Sequence, residues 1–578
     1  MTTRSALILL LAATAATSAL ADVPPLVAGA SWTVEQTTTF KGLTIPDGAQ
    51  VVAAAGHSLT MTVDGVETAI APGTYPGNVV LTPTVEVLVK SASVAPHPFR
   101  AALYVDDGKV VDAKSVRAAL VGGMVGDTSA DHVSISSQGE DFNGIIVTGN
   151  SHYLINAPQI SLTGNGGDDT DGFGDGILSN GHADVTVNDA RIFTKGAIRA
   201  ALFIAGDSTM HVNRAHIEVF PGTLPADYQF NIGDGRVMME VPWMLGLSGN
   251  VRATNVTEHG TVYYSHSHIK AHGWGALSTD GVQRVRMYVD HSLIETEGAG
   301  YGAYALGDAI DSFSHSTFNV DDYGLIIGGN GTGIFTDETR VNSHRFGIML
   351  HQGGGGGITI NKGSSFHTGS TLIEIKGRGT TIVVDHAKLR ADNGILLQTM
   401  DNDDPFMKAM MAKGGMAPGA GLDPNAAPAK PKNDVAAAFS NVELDGDLIH
   451  AMTDLGELTV TLGQRAMVHG AITTATTEPI SGQDPTRETY LQIGQVRNTF
   501  GPAAGAHGLT VVLKSGSEWA VRTTSYLGTL KLSPGAALRA IRGNGIALIV
   551  NGVQTPIKPG TYTGQIVLKV LPAAPPAA

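Results

Sequence analysis

The chain has 578 residues, a formal net charge of −15, no cysteine, 73 glycines, and only 15% charged and 6% aromatic residues. Disulfide scaffolds, thiolate metal sites and cysteine nucleophiles are excluded, and an acidic balance (pI ≈ 5.7) that repels phosphate backbones argues against nucleic-acid binding. The glycines follow no triplet, which excludes collagen, and sparse charge with abundant Gly, Thr and Val points to an all-β body.

Residues 1–21 carry Arg4, an apolar run from Ala6 to Ala13 and Ala19-Leu20-Ala21, the pattern of a secretory signal peptide. Export to a periplasm or the medium is expected, with a mature chain starting at Asp22. No later stretch approaches 18 uninterrupted apolar residues, so no transmembrane segment is expected in the mature chain. Residues 22–92 read as a β capping module of short strands. Its segment from Ser31-Trp32-Thr33-Val34 to Gly73-Thr74-Tyr75-Pro76-Gly77 aligns without a gap onto Glu518-Trp519-Ala520-Val521 to Gly560-Thr561-Tyr562-Thr563-Gly564. About 20 of roughly 50 positions are identical. Asp64-Gly65 and Asn551-Gly552 mark the same hairpin turn in each copy. Matched end modules, the second at 515–578, are what a stacked β array needs over its terminal edges.

Between them, residues 93–400 and 435–514 repeat with a period of about 22 to 27 residues, the length of one solenoid coil. One strand recurs as Asn143-Gly144-Ile145, Trp274-Gly275-Ala276, Tyr301-Gly302-Ala303, Tyr323-Gly324-Leu325, Phe346-Gly347-Ile348 and Asn393-Gly394-Ile395. Aligned in this way, Gly275, Gly302, Gly324, Gly347 and Gly394 are expected in one ladder. Trp274, Tyr301, Tyr323 and Phe346 share a parity with interior residues, which places them inside the coil. A preceding strand recurs as His266-Ser267-His268-Ile269, His291-Ser292-Leu293-Ile294, His315-Ser316-Thr317-Phe318 and His386-Ala387-Lys388-Leu389. The four leading histidines are expected to stack at one corner and to bond the backbone there.

Parallel stacking of these coils gives a right-handed parallel β-helix with similar β-rich ends. The x-[N/H]-[S/A]-x-[I/L] corner resembles that of pectate-lyase-like β-helix proteins, and the Trp-x-Val end modules resemble the coils near the end of autotransporter passengers. The resemblance implies architecture over roughly residues 30–570, and the fold hosts adhesins, lyases and hydrolases alike. After Val570 no stretch could form a translocating barrel, so self-export is not expected. Residues 401–434 interrupt the coils with Asp401, Asp403 and Asp404, then Met407, Met410, Met411 and Met416, then a Pro/Ala/Lys stretch. They read as a long inserted loop whose methionines pack on the coil surface.

Three constellations bear on chemistry. Asp168, Asp169, Asp171 and Asp175 offer hard oxygen ligands on a glycine-rich backbone, which suits calcium, although no EF-hand or repeated nonapeptide completes the motif. Asp207, Asp280 and Asp308 fall just after the repeated strand. Carboxylates on adjacent or alternate coils would stand about 5 Å or 9–10 Å apart, near the separations of retaining and inverting glycosidases. Asp280 and Asp308, with Tyr304 and His351, are therefore the catalytic candidates, each also readable as an ordinary turn or core residue. Two function classes follow: an adhesin-like surface-interaction protein facing glycans or the cell envelope, which is the reading preferred, or a secreted polysaccharide hydrolase or lyase.

Overall fold

The computed structural model describes residues 26–88, 98–230, 238–281, 283–405, 408, 434–452, 456–502, 508–541 and 543–573. The leader at 1–21 and the four methionines of the insertion lie outside the described residues. The chain is nearly all β, with 57% strand and 3% helix. Among the described residues its strands form three large, mostly parallel sheets of 16, 15 and 18 strands, the layout of a β-helix-like solenoid. Successive strands visit the sheets in rotation. Ser134–Ser137 belongs to the 15-stranded sheet, Phe142–Thr148 to the 16-stranded and His152–Asn156 to the 18-stranded, and Gln159–Thr163 begins the next round. No helix among the described residues is long and apolar enough to cross a membrane.

Period-2 alternation builds the core, because every second side chain points inward and each inward residue lands on its equivalent one coil on. In the 16-stranded sheet one such ladder runs Ile145, Ile177, Leu202, Thr254, Leu277, Ala303, Leu325, Ile348, Ile373, Leu397, Leu448 and Ile472. Its one polar member is satisfied inside, since Thr254 Oγ1 lies 2.6 Å from the Tyr264 hydroxyl. Asp311 also faces the interior. It accepts from Thr279 Oγ1 at 2.8 Å, and burial raises its carboxyl well above the ordinary range.

The glycine ladder differs from the alignment. Gly275 pairs with Tyr301, so Ala276 and not Gly275 takes the place of Gly302, Gly324 and Gly347, and Gly394 falls two residues before Leu396 rather than in the row. A Cβ on Gly275 would lie 2.1 Å from the Tyr301 ring, which explains the glycine there. The aromatic parity fails for a related reason. A Cβ on Gly302 would strike the core ring of Phe318 at 2.4 Å, while the next residue, Ala303, is also interior. Alternation therefore slips at the glycine, and Trp274, Tyr301, Tyr323 and Phe346 form a separate apolar cluster outside the coil.

The corner is as expected in place and different in bonding. His266, His291, His315 and His386 all adopt left-handed backbone (φ 51°, 46°, 47° and 49°), a region open to few residues besides Gly, Asn and Asp. Their amides donate to the carbonyl one coil on, as in His291 N to Ser314 O at 3.1 Å and His315 N to Asp337 O at 2.9 Å. Their rings point outward to side chains, whereas the backbone-bonding ladder belongs to the buried serines that follow. Ser267 N donates to Ser292 Oγ, and Ser292 N to Ser316 Oγ, each at 3.1 Å.

The two ends share hydrogen bonds as well as sequence. Tyr75 and Tyr562 donate to the carbonyls of Ala71 and Lys558, each at 2.7 Å, and the Asp64 and Asn551 side chains accept from the amides of Asn78 and Gln565. At the start, Val66–Thr68 joins the 15-stranded sheet in parallel with Ser134–Ser137.

Candidate functional site

The outer face of the 16-stranded sheet is covered, and most of the sequence candidates lie on it. Arg252 begins this region at the edge where Gly275, Tyr301, Tyr323 and Phe346 follow in register. Its guanidinium is fully enclosed. It stacks 4.8 Å from the Trp274 ring, donates through Nε to Asp169 Oδ1 at 3.0 Å and through Nη2 to the other oxygen, and reaches Asp280 Oδ2 with Nη1 at 2.7 Å. Burial pushes Asp169 up to about 6 against the pull of Arg252, which leaves an ionic pair at neutral pH. Tyr304 sits beside them, its hydroxyl raised by burial and then by the Asp280 charge.

The acidic run is thus largely engaged by its own surroundings. Asp169 holds Arg252, Asp168 accepts from the Thr170 amide and hydroxyl at 2.6 Å each, and Asp175 is enclosed and raised by burial and then by Asp169. Asp171 is half-buried in the same loop. Of the four catalytic candidates, Asp280 and Tyr304 are brought together. His351 lies farther along the same face, its Nε2 3.0 Å from Asp404 Oδ2. Asp308 turns to the rim, where its carbonyl accepts from Arg286 at 2.7 Å and its carboxylate is exposed.

Farther along the same face stands a group that sequence reading missed. Lys376 Nζ is 2.6 Å from Asp403 Oδ1 and 3.5 Å from Glu374 Oε1. Segments 238–250 and 486–495 close over it. Gly494 N donates to Asp403 at 2.7 Å, Arg345 binds the carbonyls of Gly246 and Leu491 at 2.7 Å each, and Tyr490 reaches Ser248 at 3.0 Å. A Cβ on Gly494 would lie 2.5 Å from Glu374 Oε1. The cover is therefore packed on the carboxyl with no room for a substrate between them.

Burial opposes ionisation of Asp403, but the charge and hydrogen bond of Lys376 together with the Gly494 amide hold Asp403 below the ordinary range, while burial pushes Glu374 from 4.5 up to about 8. Glu374 holds its proton more tightly folded than unfolded, so stability declines as pH rises from about 4.5 to about 8. Glu374→Gln should lose less stability than the parent over that window, by an amount on the order of a few kcal/mol. Denaturant titrations at pH 5 and pH 8 check this, and equal declines in both proteins would refute it.

An open site lies elsewhere. The 15-stranded sheet ends at Lys388–Ala391, and a separate four-stranded sheet begins at Val442–Asp445. At this break a groove of about 1760 Å³ is lined by Lys362, Lys388, Arg390, Arg522 and Arg539, with His386 and His469, against Glu443 and Asp445. Alternation aims Lys388 and Arg390 outward from one strand, and Arg539 outward from a later one. Some cations also meet carboxylates: Arg522 contacts Asp445, Arg539 contacts Glu518, and Arg390 lies 3.3 Å from Asp392. The lining itself carries five lysines and arginines against two carboxylates on a chain of charge −15, and Lys362, 3.3 Å from Asp337, is a fourth of the five that meets a carboxylate. A stack of exposed aromatics on the 18-stranded sheet, His211, Tyr263 and Tyr288, offers less to a sugar. Its rings lie 4.9 Å apart and nearly parallel, so their faces are spent on one another.

No family model matches the chain.

Proposed function

We propose that the chain is an exported, noncatalytic, adhesin-like protein, a right-handed parallel β-helix that holds an acidic polysaccharide along the groove at the sheet break. The observation that carries this reading is a groove lined by five lysines and arginines on an otherwise acidic chain. Uronate or sulfate groups would be drawn to it while the remaining surface repels them. Export rests on the leader pattern at residues 1–21. Right-handedness rests on the strong preference of parallel crossovers for that hand and on the resemblance of the corner sequence to pectate-lyase-like coils.

A noncatalytic role is favoured because the strongly perturbed carboxyl groups Glu374 and Asp175 are enclosed, and Asp280 is tied to Arg252. The hydrolase or lyase reading keeps one specific support: the Asp280 side chain is still 26% exposed, with Tyr304 next to it.

Titration calorimetry with polygalacturonate tests the groove. The parent should bind, a neutral glucan should not, and raising the salt from about 0.01 to 0.5 M should weaken binding as screening lengths shorten. The exposed pair Lys388→Ala/Arg390→Ala should cut affinity by roughly tenfold. Equal affinity in parent and variant, or equal binding of the neutral glucan, would contradict the proposal.

A further inference from the structure

The histidine corner carries a chemistry separate from the groove and from the covered face. Strand Val285–Asp290 ends in Asp290, His291 follows it, and His315 occupies the same corner one coil later. Left-handed backbone at both histidines stacks the rings 4.3 Å apart with planes within 17°. Both Nδ1 atoms face one carboxylate: His291 Nδ1 is 2.7 Å from Asp290 Oδ2, and His315 Nδ1 is 3.1 Å from Oδ1. One donor atom from each of the three residues lies within 4.8 Å of the others. Ser314 donates to Asp290 Oδ1 at 2.6 Å and orients the carboxylate, and His266 stacks on the other side of His291 at 4.9 Å.

We propose that Asp290, His291 and His315 bind one divalent cation of the zinc class, which clamps two successive coils at this corner. Two imidazole nitrogens select zinc, copper or nickel over calcium or magnesium, which take oxygen. Three protein ligands on an exposed corner leave a fourth position to water, as in open zinc sites. The three side chains are 44–47% exposed, so they have freedom to open from direct hydrogen-bond contact and to turn their donor atoms onto a cation at the roughly 2.0–2.2 Å of a zinc bond.

Another histidine corner farther along the row lacks the second imidazole. His386 has the same backbone and its own partner, Asp385, at 2.7 Å, but the next corner residue is Asn441, which donates to Asp385 at 2.6 Å. That corner supplies one imidazole. Asn441 itself has φ 52°, so asparagine is a corner residue this fold accepts, and His→Asn removes a ligand while keeping the turn.

The test titrates the full chain with Zn²⁺ by calorimetry and with Cu²⁺ by electron paramagnetic resonance. The parent should bind one zinc tightly, with two nitrogens coupled to copper. His291→Asn and His315→Asn should each weaken zinc by at least the roughly 10–100-fold that loss of a supporting partner costs, and should reduce the copper coupling to one nitrogen. His386→Asn should bind as the parent does. Circular dichroism of each variant separates loss of the site from loss of the fold. Absence of zinc binding by the parent, unchanged binding in the two site variants, or an equal loss in His386→Asn would each overturn the assignment.

Discussion

Arg252→Met is expected to destabilise the coils around Arg252 by about 3–5 kcal/mol, the cost of leaving a buried charge without its partner. Asp169 is only 6% exposed and Arg252 only 2%, so water cannot replace the lost guanidinium. Asp280 loses a partner as well, but it is 26% exposed at the side chain and is resolvated more cheaply. Methionine fills much of the volume against Trp274, which confines the effect largely to charge. Adding Asp169→Asn to Arg252→Met should recover a large part of the loss, because the stranded charge is then gone. Hydrogen exchange of strand Arg252–Val256 reads the effect locally, which matters in a stacked array whose coils can open separately. A change below about 0.5 kcal/mol would place Arg252 among ordinary surface residues.

Phe335→Ala should cost a similar 3–5 kcal/mol, for a different reason. Phe335 is fully enclosed inside the coil, with ring centroids 5.0 Å from Phe313, 6.0 Å from Phe318 and 4.8 Å from Phe366. These four rings come from several coils, and the rigid sheets on each side cannot collapse into the space that one ring leaves. Phe335→Leu, which retains most of the volume, should cost much less. Hydrogen exchange across the strands Ala309–Ser314 and Thr332–Thr336 checks both variants, and a cost for Phe335→Ala no larger than that for Phe335→Leu would show that the site repacks.

Whatever repeats locally is legible in the sequence. The corner histidines announced themselves because the same residue returns every coil, and the end modules because their turns and tyrosines match position by position. The register was less legible. Tyr301 and Trp274 look equivalent beside their glycines, but the pairing sets Tyr301 against Gly275, and only the bulk of the Tyr301 ring explains the missing side chain.

The same limit applied to the candidate site. Asp280 and Tyr304 are marked by their place after and within the repeated strand, whereas their partner Arg252 begins a strand that shows no obvious motif. Lys376, Glu374 and Asp403 could not be found together. Asp403 comes from the insertion, and the segment that closes over all three arrives at residues 486–495. The groove has the same character. Lys388 and Arg390 are separated from Arg522 and Arg539 by the inserted loop and further coils, so their proximity is a product of stacking alone.

The most direct test of a binding role without catalysis is the fate of the polysaccharide itself. Polygalacturonate incubated with the full chain, with and without calcium, is followed for new reducing ends and for unsaturated products, in parallel with Asp280→Asn and Asp308→Asn. The account predicts bound polymer of unchanged length in all three proteins. Chain cleavage by the parent that disappears in Asp280→Asn or Asp308→Asn would contradict it and make that carboxylate part of an active site.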